Sequence, residues 1–142
     1  MDAETKKTIT EKAHKLLSTD YHCSEGILIA VGGYYLKDLA PQALRMATPF
    51  AGGIGRAHTD VCGALSGGLM VIGGLYGRTD SATNDDHCLQ MACKYREAFI
   101  ETFGYRICQD LKDNWTNKPG QESCKELVAK ASGLLIDILE AA

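Results

Sequence analysis

CGALSGGLMVIGGLYGR, from Cys62 to Arg78, is an apolar segment unusually rich in glycine. On a helix, Gly63 and Gly67 lie about one turn apart, and Gly74 falls on the same side. Glycine inside a helix costs up to about 1 kcal/mol relative to alanine, so the segment needs a compensating contact. A stripe of small residues provides one, because it lets a second helix backbone approach closely. We therefore predict a buried central helix here, and we expect its glycine-lined face to support a homo-oligomer.

Helical periodicity extends over the rest of the chain, which contains only 3 prolines. Three helices are predicted before the glycine-rich segment, over residues 5–17, 23–39 and 41–46. The fourth has Cys62 in its first turn, after an N-cap at Thr59 or Asp60. The fifth runs from a cap at Asn84–Asp86 to Phe103, and the last two cover residues 107–112 and 121–141. No alternating β-branched run of strand length is present. The predicted fold class is all-α, a compact multi-helix bundle with a glycine-rich central helix, in one domain spanning residues 1–142.

The composition excludes several functional classes. The 142 residues carry a net charge of -3, and the 15 Lys and Arg residues are scattered among 18 acidic ones, so we predict no nucleic-acid partner. The apolar run 63–77 is shorter than the roughly 18 to 20 residues of a spanning helix, which predicts no membrane insertion. Residues 1–17 are polar and contain no apolar signal region, so a cytoplasmic location is expected.

Six cysteines are the main anomaly, at positions 23, 62, 88, 93, 108 and 124. In a reducing cytoplasm such a number indicates redox chemistry, metal ligation or buried packing. Four of them, Cys23, Cys62, Cys108 and Cys124, fall at the predicted starts of helices. Unpaired N–H groups and the positive end of the helix dipole favour a thiolate there, which predicts lowered pKa values for these four thiols.

The cysteine pattern also resembles a known family. CGALSG at residues 62–67 is similar to the CGAxxG signature of the C_GCAxxG_C_C family, a group of redox-active proteins of about this length with four invariant cysteines. Cys23 in a CSE context, Cys108 after FGYRI and Cys124 in SCKEL complete the ordered set, and the resemblance covers essentially the whole chain. It implies that these four cysteines are the functional ones and that the chemistry is redox.

Thiol–disulfide exchange or electron transfer is the first functional hypothesis. In an exchange, a thiolate attacks a disulfide and a second thiol resolves the mixed intermediate. We expect Cys62 to be the nucleophile and Cys23 its resolving partner, with Cys108 and Cys124 as a second pair, although four cysteines allow three pairings. The partner would be a redox protein or a small thiol or disulfide. An oxidoreductase, an electron carrier and a sensor all remain open.

Two other hypotheses use the same four cysteines. Four thiolates suffice for an iron–sulfur cluster or a tetrahedral zinc ion, although the sequence lacks the compact CxxC spacing. Alternatively, the cysteines are small hydrophobic residues in a non-catalytic helical binding or scaffold protein, and normal or raised pKa values at all four would favour this interpretation.

The remaining candidates are assigned lesser roles. His58 precedes Cys62 by four residues and His22 adjoins Cys23, so either could exchange a proton with a thiol. Cys88 and Cys93 lie five positions apart, which turns them about 140° away from each other on a helix. We expect Cys93 to pack and Cys88 to belong to a capping region.

Overall fold

The computed structural model describes all 142 residues and folds them into seven helices. These are α1 (Ala3–Leu17), α2 (Cys23–Ile27, continued by a π-helical turn at Leu28–Gly32 and an α-turn at Gly33–Tyr35), α3 (Pro41–Ala47), α4 (Gly63–Tyr76), α5 (Asp86–Phe103), α6 (Cys108–Asn114) and α7 (Cys124–Glu140). A 3-10 turn at Thr48–Phe50 follows α3. The only β pairings are two isolated bridges. The predicted all-α class is confirmed.

The first and last helices pack along each other. The side chain of Asp2 accepts a hydrogen bond from the Thr5 N–H at 2.7 Å and so caps α1. Ile9 and Ala13 form the buried stripe of this helix. At the surface, Lys6 Nζ donates to an Asp137 carboxylate oxygen of α7 at 2.7 Å. The helical periodicity of residues 5–17 therefore corresponds to an interface in the fold.

The second helix is shorter than the predicted span 23–39. Leu36 leaves helical geometry with φ -96° and ψ 128°. Its side chain instead fills the space beside Gly74 of α4, where an added Cβ would lie 2.9 Å from Leu36 Cδ1. A tertiary contact thus ends this helix before the sequence pattern does.

The glycine stripe of α4 brings the backbone of α2 into contact, as predicted. A Cβ at Gly67 would lie 2.6 Å from Ile27 Cγ2 and 3.0 Å from Ser24 Cα. Gly68 faces α5 instead, where an added Cβ would lie 2.5 Å from Tyr95 Cε2. Tyr95 is fully buried, and its hydroxyl donates to the Ala64 carbonyl oxygen at 2.8 Å. The faces at Gly67 and Gly68 are covered within one chain, and the expected homo-oligomer stays a prediction.

Helix starts differ from prediction by a few residues. Cys62 is itself the N-cap of α4, so Thr59 and Asp60 do not cap this helix. The last helix begins at Cys124 rather than at residue 121, because Ser123 and Glu126 form a capping box there. The helix α5 ends at Phe103, as predicted, and Gly104 follows it in the left-handed conformation at φ 81°. No helix is both long enough and apolar enough to cross a membrane.

Candidate functional site

Four cysteines from distant parts of the sequence line one cavity of about 500 Å³. Cys23, Cys108 and Cys124 are the first residues of α2, α6 and α7, and Cys62 immediately precedes α4. Cys62 and Cys108 are each only 7% exposed, whereas Cys23 and Cys124 are half-buried. The predicted convergence of these four thiols at helix starts is what the fold produces.

An isolated antiparallel bridge joins the segment that carries Cys62 to the segment that carries Cys108. Val61 pairs with Ile107, the residue immediately before Cys108. The Cys62 N–H donates to the Arg106 carbonyl oxygen at 2.7 Å, and the Cys108 N–H donates to the Asp60 carbonyl oxygen at 2.9 Å. Two segments more than forty residues apart are thereby fixed side by side, with one thiol on each.

The glycine that follows Cys62 makes room for Cys23. A Cβ at Gly63 would overlap the Cys23 Sγ atom, and it would lie 2.9 Å from the Ser24 backbone nitrogen. The Cys23 sulfur therefore rests against the start of α4. The buried Ser24 hydroxyl donates to the Ala47 carbonyl oxygen at 2.8 Å and fixes this end of α2.

Cys124 is positioned by the capping box of α7. The Ser123 N–H donates to Glu126 Oε1 at 2.7 Å, and Ser123 Oγ accepts from the Lys125 N–H at 3.2 Å. The other Glu126 carboxylate oxygen contacts His14 Nε2 of α1. Hydrogen bonds to Ser123, together with the His14 contact, lower the pKa of Glu126 although burial acts in the opposite direction. This cap fixes the helix start that carries the fourth thiol.

A left-handed turn covers the Cys108 side of the cavity. All residues from 52 to 56 have positive φ, including Ile54 at 65° and Arg56 at 60°. Each left-handed non-glycine residue costs roughly 1–2 kcal/mol, so the turn depends on its glycines. Gly53, at φ 70°, is the closest to the thiol, because an added Cβ would lie 2.6 Å from Cys108 Cβ.

The same turn brings His58 onto Cys108. The His58 N–H donates to the Gly52 carbonyl oxygen at 3.0 Å, and the His58 carbonyl oxygen accepts from the Gln109 N–H at 2.8 Å. Held in this way, His58 Nδ1 lies 3.3 Å from Cys108 Sγ, within the range of a hydrogen bond to sulfur. The sequence suggested His58 as a partner of Cys62, but the ring contacts Cys108.

The predicted lowering of the thiol pKa values is wrong for three of the cysteines. Burial is the main cause that raises the pKa of Cys62 well above its ordinary value, and the neighbouring Cys23 raises it further. The Ala64 backbone N–H opposes this shift. Burial also raises the pKa of Cys108 and of Cys124, in each case against the positive charge of Lys112. Desolvation of the thiolate thus outweighs the helix ends.

The other sequence candidates have mixed outcomes. His22 lines the cavity, and its backbone N–H donates to Glu25 Oε1 at 3.0 Å, but its ring has no hydrogen bond with a thiol. Cys88 is partly buried against the core. Cys93 is exposed, contrary to the expected packing, and its thiol donates to Glu97 Oε1 at 3.3 Å. Neither of these two cysteines lines the cavity.

Lys112 is a site residue that the sequence reasoning missed. It lines the cavity, and its charge acts on both Cys108 and Cys124. Its spacing from Cys108 is i,i+4, which places both residues on one face of α6. The i,i+4 spacing is the sequence signal that could have identified Lys112.

No group of three or more His, Cys, Asp or Glu side chains is arranged to hold a metal ion. All six cysteines are free thiols, so the expected pairing stays a prediction.

Comparison with known proteins gives one match. The family model described as "Putative redox-active protein (C_GCAxxG_C_C)" matches residues 21–138, which includes all four cavity cysteines. No curated protein and no solved structure is significantly similar to the chain.

Proposed function

The chain belongs to the C_GCAxxG_C_C family, and we propose that its redox activity is dithiol–disulfide exchange in the cysteine-lined cavity. One observation carries this proposal: four thiols from four separate segments meet in one cavity of about 500 Å³. Cysteines that serve only as small hydrophobic residues have no reason to converge. Exchange requires such convergence, because a second thiol must reach the mixed disulfide formed by the first.

We assign the first attack to Cys108 rather than to Cys62. Both residues are 7% exposed, but they differ in their neighbours. His58 Nδ1 contacts the Cys108 sulfur at 3.3 Å, and the charge of Lys112 favours the Cys108 thiolate. Cys62 has neither partner, and burial and Cys23 raise its pKa furthest. Cys108 is therefore the thiol that can be deprotonated when substrate arrives.

The exchange proceeds in two balanced steps. His58 accepts the proton of Cys108, and the thiolate attacks one sulfur of a substrate disulfide. The substrate S–S bond breaks, and the leaving thiolate takes the proton back from His58. Cys124 then attacks the Cys108 sulfur and the mixed S–S bond breaks. The Cys124 proton passes to the leaving substrate thiolate, which departs as the second substrate thiol. Two electrons pass from the protein dithiol to the substrate, leaving a Cys108–Cys124 disulfide.

Cys23 and Cys62 form the inner dithiol of this scheme. After burial, Cys23 contributes most to the raised pKa of Cys62, and the Cys23 sulfur rests against Gly63. Attack of this dithiol on the Cys108–Cys124 disulfide would return the outer pair to its reduced form. A small thiol or a redox partner protein in the reducing cytoplasm would then reduce the inner disulfide. On this scheme the protein is an oxidoreductase.

The raised pKa values are compatible with exchange. A thiol of high pKa is mostly protonated at neutral pH, but its thiolate is the stronger nucleophile once formed. A base in contact with the sulfur supplies that thiolate during the reaction. His58 occupies this position only at Cys108. Buried cysteines without a chemical role would require no such base.

Reduction of a neutral small disulfide tests the proposal. Fully reduced protein is mixed with hydroxyethyl disulfide under anaerobic conditions. The thiols released from the substrate and the thiols remaining on the protein are then counted. We expect two substrate thiols to appear for every two protein thiols lost. The Cys93→Ser variant should behave like the unmodified protein, because Cys93 lies on the outer surface of α5. Absence of thiol release would contradict the proposal.

The metal hypothesis gives a different result in a parallel measurement. Iron, zinc and acid-labile sulfide are determined in protein purified without oxygen. One four-thiolate ion or cluster per chain, lost in variants of the cavity cysteines, would replace dithiol exchange by a metal-based function. Exchange predicts metal-free protein in which all four cavity thiols are unligated.

A further inference from the structure

The cysteine-lined cavity has a strong charge bias. Among its lining residues are Arg56, Lys112 and Lys125, and none is an aspartate or a glutamate. The chain as a whole has the opposite bias, with 18 acidic against 15 basic residues. The cavity is therefore a positive site on a negatively charged protein.

These three cations are not neutralised by the protein. None of the ion pairs in the structure involves Arg56, Lys112 or Lys125, and their side chains make no hydrogen bond within the chain. Lys112 and Lys125 are half-buried, so their stems lie along the cavity wall. Unpaired cations grouped around a concave site attract anionic ligands and increase their rate of arrival.

The rest of the cavity wall is apolar. Leu17, Leu111, Leu127 and Val128 contribute to it alongside the thiols. A volume of about 500 Å³ lies within the range of sites that enclose small molecules. Such a wall suits a ligand with a short hydrocarbon stem and a charged end.

We propose that the substrate of this site is a small anionic disulfide, with its carboxylates held by Arg56, Lys112 and Lys125 and its S–S bond directed at Cys108. This inference rests on the proposed function. The electron balance is unchanged: the protein dithiol gives two electrons to the anionic disulfide, which leaves as two anionic thiols. The cations select the substrate, and Lys112 also favours the Cys108 thiolate. None of the three transfers a proton or an electron.

Three disulfides of similar size and different charge test the selection. Dithiodipropionate is anionic, hydroxyethyl disulfide is neutral and cystamine is cationic. At low salt, we expect the anionic disulfide to be reduced at least about ten times as fast as the cationic one. The rate for the neutral disulfide should lie between these two. The preference should shrink from about 0.01 M to about 1 M salt, as the Debye length falls from about 30 Å to about 3 Å. The rate at which the protein reduces each disulfide is divided by the rate at which a free small thiol reduces the same disulfide. This division corrects for the intrinsic reactivity of the three disulfides.

Charge-removing variants identify the residues responsible. Lys112→Gln and Lys125→Gln should each slow reduction of dithiodipropionate several-fold more than that of hydroxyethyl disulfide. Lys130→Gln is the matched control on α7, because Lys130 is exposed and lies outside the cavity. It should leave both rates unchanged.

Alkylation provides a second readout that does not depend on disulfide exchange. Iodoacetate and iodoacetamide differ mainly by one negative charge. At Cys108 the ratio of the iodoacetate rate to the iodoacetamide rate should exceed the same ratio for a free small thiol. Lys112→Gln should lower the ratio at Cys108. If neutral and anionic disulfides react equally and this ratio is ordinary, charge selection is overturned while exchange stands. If no disulfide reacts but the ratio is high, the proposed function fails and the anion site remains. If neither effect appears, both are wrong.

Discussion

Cys62 and Cys108 stand at matching places in the fold, one just before α4 and the other at the first residue of α6. They lie on paired segments, diagonally across the Val61–Ile107 bridge, and each is 7% exposed. Only Cys108 contacts a histidine, and only Cys108 has the charge of Lys112 among the main influences on its pKa. The comparison teaches that a helix start does not by itself activate a thiol; the side chains brought to it from elsewhere do.

Removing the Cys108 thiol and removing the Cys62 thiol should have very different effects on the rate of disulfide reduction. We expect Cys108→Ser to lower the rate of disulfide reduction at least about 100-fold, because a serine hydroxyl cannot replace the nucleophile. In a single turnover, Cys62→Ser should lower it less than about tenfold, because Cys62 acts after the outer pair. Stopped-flow measurement with fully reduced protein checks both. The reverse order would return the first attack to Cys62.

Removing the base should affect Cys108 alone. His58→Gln is expected to slow alkylation of Cys108 about 10- to 100-fold at neutral pH, since a positioned base is lost. The rate should recover as the pH rises above the raised pKa of Cys108, where hydroxide replaces the base. Alkylation of Cys62 should not change. His87→Gln is the control, because His87 packs edge-to-face with Tyr76 outside the cavity. Equal effects of the two variants would remove His58 from the mechanism.

Filling the glycine next to Cys62 should disturb the inner pair. Gly63→Ala forces a Cβ onto the Cys23 sulfur, and such overpacking lowers the free energy of unfolding by about 1–3 kcal/mol. Gly73→Ala is the matched control in the same helix, because a Cβ there meets nothing within 4 Å. Its expected effect is a gain of up to about 1 kcal/mol from helix propensity. Urea titrations of both variants check the signs, and equal losses would contradict the contact.

The raised pKa of Cys62 predicts a pH dependence of stability. The folded state keeps this thiol protonated, whereas the unfolded state releases the proton at an ordinary thiol pKa. The contribution of the protonated Cys62 thiol to the free energy of unfolding is therefore complete below the ordinary thiol pKa. It is lost as the pH rises towards the pKa of Cys62 in the folded state, at up to about 1.4 kcal/mol per pH unit. Urea titrations across the alkaline range should show this slope. It should be smaller in Cys62→Ala, and an identical slope would show that the thiol is not buried as described.

The sequence predicts the helices and the site to different degrees. Capping residues and Gly104 locate most helix boundaries, because their effects are local. The glycine spacing of α4 predicts a close backbone partner, but it does not reveal that α2 of the same chain, rather than a second copy, fills that role. The end of α2 at Tyr35 was missed for the same reason, since a tertiary contact of Leu36 with Gly74 decides it.

The grouping of these four cavity cysteines could be predicted because each stands at a helix start. Their pKa values could not, because the degree of burial is set by the packing of the whole cavity. The partnership of His58 with Cys108 was also out of reach. It depends on the Val61–Ile107 bridge and on a left-handed turn, and neither has a recognisable pattern in a single sequence.

Mild oxidation of the native protein, followed by mass spectrometry of its disulfide-linked peptides, tests the shared cavity most directly. Convergence of the four thiols predicts intramolecular bridges that join Cys23 to Cys62 and Cys108 to Cys124, with Cys88 and Cys93 left free for alkylation. Bridges that form only between molecules, or that join the cavity cysteines to Cys93 as readily as to one another, would contradict it.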